Sequence, residues 1–463
     1  MRTMTFAATA LAVLSVLGCV DNTATNPLHP SDSAGFNKRP PPIDPTLIAL
    51  VRQLAGERNV VPLVRPPRVR EPLVKLGRAL LFDPILSGNR NISCATCHFP
   101  TFATGDGKSL AVGEGGIGLG PGREHPNGVF IPRNAPPLFN LGVMSHLFWD
   151  GRIERDASGV VHTPAGAQLT PEMARVFEFG SASALGLFPV TNRAEMRGQL
   201  ASGNELAAIP DDDLPAIWAA LMRRLGRIPE YREMFEEAYP GTRFRDMTFS
   251  HASNAIGGFM VNELTFANAP WDRFLRGDNR ALTSRQLEGA RTFLTLKCSI
   301  CHNGSTFSDD QFHNVAVAQL GPGEGDGFGG FDDFGRMRVT GDPADKYRFR
   351  TSPLRNIELT GPYGHDGAII SLRAFIDHYS QSDSKLLNYD PTQLDADLRG
   401  TVLLNNKQDI INARDPIILG VVFDATIVDQ LMDYMSALTD NAARNLSRAT
   451  PVRVPSKLPI DKP

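Results

Sequence analysis

Apolar residues recur at three- and four-residue spacing in several stretches of the chain, and these predict most of its regular structure. Asp44-Pro45 has the form of a helix start, a side-chain cap followed by proline, and Thr46 to Ala55 continues it with an apolar stripe. A second stripe covers Glu71 to Phe82. Asp212 to Ala238 reads as helix broken at Ile228-Pro229, where proline removes a backbone donor. Ser250 to Ala267 is apolar over most of its surface and predicts a helix. Thr283-Ser-Arg-Gln286 has the pattern of a capping box and opens a further helix. Ser371 to Tyr379 and Thr426 to Leu438 complete the set. Alternating patterns are few and short. Residues 100–137 and 320–345 are dense in glycine without periodicity, so they predict long ordered loops of the kind that carry function. The expected fold is mainly α, with long ordered loops and few short strands.

Composition narrows the class. The chain has 463 residues with a formal net charge of −3, which lacks the basic surplus of a nucleic-acid binder. The 42 glycines and 35 prolines make it loop-rich, yet below the roughly 25–30% that marks low-complexity disorder. Five cysteines in this length do not form a disulfide scaffold.

The first residues read as an export signal. Arg2 precedes an apolar stretch to Leu17, shorter than the roughly 20 residues of a membrane span. Gly18-Cys19 resembles a bacterial lipobox, which makes residues 1–19 a signal peptide and Cys19 a lipid anchor. The alternative is an ordinary signal peptide with an incidental Cys19. Residues 20–43 then form a flexible tether. The expected location is the periplasm or cell envelope, as a membrane-anchored lipoprotein.

The other four cysteines sit in two copies of one signature, Cys94-Ala-Thr-Cys97-His98 and Cys298-Ser-Ile-Cys301-His302. Two thiols three positions apart lie on one helical turn and reach the two vinyl groups of one porphyrin, and the next residue, histidine, falls under the iron. Paired Cys-x-x-Cys units also occur in redox dithiols and zinc sites. Composition alone predicts about 0.001 copies of the full signature, so two copies indicate two covalently bound c-type haems. The helical stripes preceding the pairs, Leu76-Gly-Arg-Ala-Leu-Leu-Phe82 and Glu288-Gly-Ala-Arg-Thr-Phe-Leu294, form a weak internal repeat. Two c-type cytochrome domains are expected: residues 44–245 around the first haem and 246–445 around the second, with a tail over 446–463.

These residues, taken with Lys75 to Pro84, Arg133-Asn-Ala-Pro136, Phe148-Trp-Asp-Gly-Arg152, Glu195-Met196, Leu354-Arg-Asn356 and Pro362-Tyr-Gly-His-Asp-Gly367, resemble the bacterial dihaem cytochrome c peroxidases and their MauG-like relatives. Leu147 to Arg152, Pro164-Ala-Gly166, Asn192 to Met196 with Asn204 to Ala207, and Phe312-His-Asn314 before Leu320 to Gly323 are similar to the methanobactin-associated MbnH-like group. The resemblance implies a peroxide-reactive first haem and a six-coordinate second haem. It implies that Trp149 lies between them and relays electrons, and that Glu195 is the acid over the open iron, where the family's accompanying glutamine is replaced by Leu185. Asn134, with the backbone carbonyls of Thr360 and Pro362, matches the ligands of one calcium ion. The family position for the sixth ligand of the second haem is Tyr379, where peroxidases needing prior reduction carry methionine. The adjacent His378 is a rival.

The resemblance implies an exported oxidoreductase in which hydrogen peroxide drives the haem pair to high valence. An aromatic residue, tryptophan by analogy, is then oxidised at long range on a partner protein such as a copper-binding protein. The alternative is a cytochrome c peroxidase fed electrons by a small cytochrome or copper protein. A third reading, a pure electron-transfer cytochrome, needs a strong ligand such as His125 or His146 at the first haem. Arg350 and Arg355 are candidate haem-propionate partners. No tryptophan lies just before Cys298, which leaves the route of oxidising equivalents to a partner open, with Trp271 a candidate that could equally be core.

Overall fold

The structure is a computed structural model that describes residues 44–462. The expected signal peptide, Cys19 and the expected tether lie outside the described residues. The elements that matter here, in chain order, are helices α1 (Pro45–Glu57), α2 (Glu71–Phe82), α3 (Cys94–Cys97), α4 (Leu214–Gly226), α5 (Pro229–Ala238), α6 (Phe249–Glu263), α7 (Pro270–Leu275), α8 (Ser284–Thr295), α9 (Cys298–Cys301), α10 (Leu372–His378) and α11 (Ala425–Ala437). Strands are short: β1 (His146–Leu147), β2 (Ile153–Arg155) and β3 (Val161–His162) form one antiparallel sheet, with His146 opposite Glu154 and Glu154 opposite His162. Strands β4 (Phe312–His313) and β5 (Phe349–Arg350) form a two-stranded antiparallel pair. The fold is mainly helical, as the periodicity predicts.

The capping chemistry explains several boundaries. Asp44 caps α1 by accepting from the Thr46 amide at 2.8 Å. Thr283 and Gln286 exchange side-chain and backbone bonds at 3.2 and 2.9 Å, closing the box that starts α8. The helix expected over Ser250 to Ala267 stops at Glu263. Beyond it the chain turns to pair with the loop at Asn140, whose backbone amide donates to Leu264 O and whose side chain accepts from Phe266 N.

Two helix pairs organise the cores. Helix α2 packs on α6, and Gly77 allows the closest approach: a Cβ there would sit 1.9 Å from the Ala255 carbonyl oxygen. Helix α8 packs on α11 in the same manner, with Gly289 against the Gln430 carbonyl oxygen at 2.1 Å. The two glycines are the ones in the internal repeat, so the repeat encodes a packing device. Each pair carries one attachment turn at the end of its first helix or just beyond it.

The cores run across the expected boundary at residue 245. The first core joins α2, α4, α5 and α6 to the C-terminal residues Ala443, Leu446 and Val454. The second joins α7, α8, α10 and α11 to α1, through Val51 and Ala55. Thus the first helix packs with the second haem-bearing half, and the tail packs with the first. Val51 and Ala55 of α1 are buried in the second core, and Leu446 and Val454 of the tail in the first. A third cluster, around Leu110, Ala316, Leu386 and Ile410, gathers the long loops.

Candidate active site

Both attachment turns open onto one continuous cavity of about 820 Å³, large enough for a sizeable ligand. Cys94 and Cys97 stand on α3, with His98 as its C-terminal cap. Cys298 and Cys301 stand on α9, with His302 in the same position. The four cysteines are free of disulfides. Burial pushes the thiols of Cys94 and Cys298 up to about 12.

The two histidines are oriented identically. His98 Nδ1 lies 2.9 Å from the Thr104 carbonyl oxygen, and His302 Nδ1 lies 2.9 Å from the Phe307 carbonyl oxygen. A carbonyl can only accept, so Nδ1 must carry the proton in each ring. That leaves the Nε2 lone pair available to a metal, the usual arrangement for a ligating imidazole. Burial lowers the proton affinity of both rings, which keeps that lone pair free.

All twelve expected site residues line this one cavity: the six cysteines and histidines just described, Asn134, Trp149, Glu195, Thr360, Pro362 and Tyr379. Trp149 is pinned between the halves. Its indole donates to the Asn134 carbonyl oxygen at 2.9 Å, and its own carbonyl accepts from the Arg350 amide at 2.8 Å. Glu195 sits in a single π-helical turn, Arg193–Arg197, held by Asn192, whose side chain accepts from the amides of Ala194 and Glu195 at 2.9 and 3.0 Å. Turns of this kind are often found at functional positions. Burial raises the Glu195 carboxyl above the ordinary range, with Arg152 opposing and Glu324 adding to the shift. Leu185 is on the same wall.

Tyr379 ends α10, and burial together with the nearby Cys301 and Cys298 raises its phenol. Its rival faces elsewhere: His378 Nε2 lies 2.8 Å from the Val315 carbonyl oxygen, and His378 is not part of the cavity wall. His125 and His146 are also not part of it. His125 Nδ1 accepts from the Asn127 amide at 3.1 Å, and His146 is held between Glu154 and Asp310 at 3.4 and 3.2 Å. Neither of the two histidines that the third reading names is therefore placed at the first site.

A profile of the di-haem cytochrome c peroxidases matches residues 71–280. The methylamine utilization protein MauG of Methylorubrum extorquens is 30% identical over 316 residues, spanning 67% of this chain and 69% of that protein. The cytochrome c551 peroxidase of Pseudomonas aeruginosa is 28% identical over 313 residues, spanning 67% and 72%. The chain belongs to the di-haem cytochrome c peroxidase and MauG family. A solved MauG-like protein associated with microbial copper homeostasis has the same fold, with a TM-score of 0.58 and 23% identity over 85% of this chain and 98% of that one. So does the diheme peroxidase BthA of Burkholderia thailandensis, at 0.55 and 20% over 86% and 91%.

Family members are peroxide-acting oxidoreductases with two c-type haems, and the wall residues fit that pair. Two attachment turns, two Nε2 lone pairs and one cavity are present together. Arg350 adds a further observation. Its guanidinium is buried at the cavity wall, bonded only to the Phe148 and Thr351 carbonyls, each at 3.3 Å. Burial lowers it to about 10, with the nearby Asp310 charge opposing. A buried cation without a carboxylate in contact fits a ligand that brings its own carboxylates, as haem does. Arg355 does not fit that role, because Asp272 already engages it through two bonds of 2.7 and 2.9 Å.

Glu324 was not legible in the chain, and Arg133 entered only as part of the Arg133-Asn-Ala-Pro136 resemblance, without a role. Glu324, from the second long loop, reaches the cavity wall, and burial raises its carboxyl against the pull of Arg133. Arg133 bonds Asp150 at 2.6 Å and Asp333 at 2.7 and 2.8 Å, tying both long loops to the Trp149 segment. The sequence signal for Glu324 was its place in a long glycine-rich loop.

Proposed function

We propose that this chain is an exported dihaem oxidase that uses peroxide to oxidise an aromatic side chain, tryptophan by analogy, on a docked partner protein. The observation that carries the reading is Tyr379, a hard oxygen donor beside Cys298 and Cys301, with His378 turned away to Val315. When bound, the haem pair supplies the iron that reacts with peroxide and holds the oxidising equivalents. The protein's own groups do the rest. The Glu195 carboxyl takes a proton from one peroxide oxygen and returns it to the departing one, a task suited to a raised carboxyl. Trp149 offers an oxidisable indole fixed between the two halves. Tyr379 would offer its oxygen to the second iron, a hard donor that would favour the oxidised metal.

Asn134 and the carbonyls of Thr360 and Pro362 are the oxygen donors proposed for calcium, a hard cation. The Asn134 amide nitrogen donates to Lys108 O at 2.7 Å, which leaves its oxygen as the donor that a cation would use. The partner is proposed to be a copper-binding protein, supported by the copper-homeostasis association of the similar MauG-like structure. Residues 1–19, with a lipid anchor at Cys19, would place the enzyme at the periplasmic face of the cell envelope. No helix among the described residues is long and apolar enough to cross a membrane.

The cytochrome c peroxidase of Pseudomonas aeruginosa among the relatives supports the second reading, peroxide reduction with electrons from a small redox protein. Stoichiometric hydrogen peroxide added to the diferric protein separates the two. Immediate loss of both ferric EPR signals is the result expected here. Reaction only after one haem is reduced would establish the peroxidase reading instead.

A further inference from the structure

Of the three tryptophans, two have their indole N–H satisfied by a backbone carbonyl: Trp149 by Asn134 at 2.9 Å and Trp218 by Leu187 at 3.0 Å. Trp271, on α7, has none, although it is fully buried. Its ring meets Tyr434 of α11 edge-on at 5.0 Å, and the Tyr434 hydroxyl is likewise buried without a partner. Two unpaired donors packed against each other in one core cost stability that phenylalanine at both positions would avoid. Their placement suggests a use. Trp271 lies 6.4 Å from Phe307, whose carbonyl holds His302 Nδ1, and Tyr434 lies 5.1 Å from Phe293, whose ring is part of the cavity wall. The pair is therefore two ring contacts from the second haem site, on its histidine side.

We propose that Trp271 is a reversible one-electron reservoir for oxidising equivalents drawn from peroxide, on the histidine side of the second haem site. The inference rests on the peroxide-driven reading above. Peroxide takes up two electrons and two protons to give two waters. Trp271 returns one of those electrons to the oxidised haem pair and becomes an indole cation radical. No proton moves, because Nε1–H has no acceptor. A later one-electron donor, the partner protein or a small redox protein, restores the indole. Tyr434 is not the resting place: phenol oxidation releases a proton, and its hydroxyl has no group to take it. The Phe274 ring, stacked at 5.5 Å and 30° from the indole, presents a π face that favours positive charge. The Arg52 guanidinium, 4.7 Å over that same Phe274 ring, opposes passage of positive charge further outward. A hole at Trp271 is thus held inside the core, away from solvent and from side reactions.

The test uses the full chain with both haems attached, mixed with stoichiometric hydrogen peroxide in the absence of any donor and frozen for EPR. Ring-deuterated tryptophan should narrow an organic radical signal in the wild type, and ring-deuterated tyrosine should leave it unchanged. Trp271→Phe should lower that signal at least tenfold while the optical response of the haems to peroxide persists. Tyr434→Phe should keep it. A signal of unchanged intensity in Trp271→Phe, or one that follows the tyrosine label, overturns the Trp271 assignment alone. A wild-type protein whose haems do not respond to peroxide overturns the peroxide-driven reading, and the reservoir with it. Should Trp271→Phe fail to fold, Trp271→Tyr takes its place: loss of the narrowing by ring-deuterated tryptophan supports the assignment, and its persistence at wild-type intensity overturns it.

Discussion

Around Cys94–His98 and around Cys298–His302 the chain repeats one local device: a cysteine-bearing turn, a histidine held by a backbone carbonyl at 2.9 Å, and a helix pair locked by a glycine. What surrounds each turn differs. The first faces Glu195 and, from the other half, Glu324, two carboxyls raised by burial. The second faces Tyr379, and behind its histidine stands an aromatic cluster with two unpaired donors. On the function proposed above, identical attachment turns would serve two tasks: proton handling at one site and storage of oxidising equivalents at the other. The neighbours of each turn, not the attachment motif, would then divide the labour.

The sharpest way to break this comparison is to exchange the oxygen donor at the second site. Tyr379→Met should abolish the reaction of the diferric protein with stoichiometric peroxide and restore it only after one-electron reduction, as read by optical and EPR titration. His378→Phe should leave the titration unchanged. If Tyr379→Met reacts like the wild type, the two sites do not differ in the way described.

At the first site, Glu195→Gln should slow peroxide-driven oxidation by about 10²–10⁴-fold, the range for a lost general acid–base. Because Glu195 is raised, the acid limb of the pH–rate profile should lie above the ordinary carboxylate range, with the rate rising as the group ionises. That limb should vanish in Glu195→Gln and shift in Glu324→Gln. Stopped-flow rates across pH measure all three, and an unchanged limb in Glu195→Gln would remove Glu195 from the proton path.

Stability should also differ between halves. Asp272→Ala leaves the Arg355 guanidinium buried without its partner in the second core and should cost about 3–5 kcal/mol. Arg70 and Glu178, an exposed pair on the first half, should contribute about 0–1 kcal/mol. Thermal unfolding of Asp272→Ala and Glu178→Ala compares them directly.

A further comparison concerns what the halves share. Gly77→Ala and Gly289→Ala each force a methyl into a helix crossing and should cost about 1–3 kcal/mol apiece. Similar losses of thermal stability would support a common packing device; a loss at one site alone would show that the repeat is not structural at the other.

Much of the molecule was legible in the chain. Helix α2 matches its apolar stripe residue for residue, and the boundaries of α8 and α10 follow from Thr283 and Ser371 as caps. The attachment residues were legible because their chemistry is local: two thiols and an imidazole must lie within five consecutive residues to serve one porphyrin. Trp149, Glu195, Tyr379 and the calcium-type donors were reached through resemblance, since a lone tryptophan or glutamate carries no signal of its own. Glu324 was missed, and Arg133 was reached without its ion pairs, because a long loop has no periodicity to say which way its side chains turn.

Local sequence determined the helices, the two haem-attachment turns and the identity of the groups available for chemistry. The tertiary structure alone decided that His378 turns to Val315 while Tyr379 faces the cavity, and that the second half supplies an acid to the first. It also decided that α1 and the C-terminal tail pack with the halves opposite to their place in the chain. The reason is physical: these outcomes depend on contacts between segments up to hundreds of residues apart, which only apolar packing and the pairing of buried polar groups select.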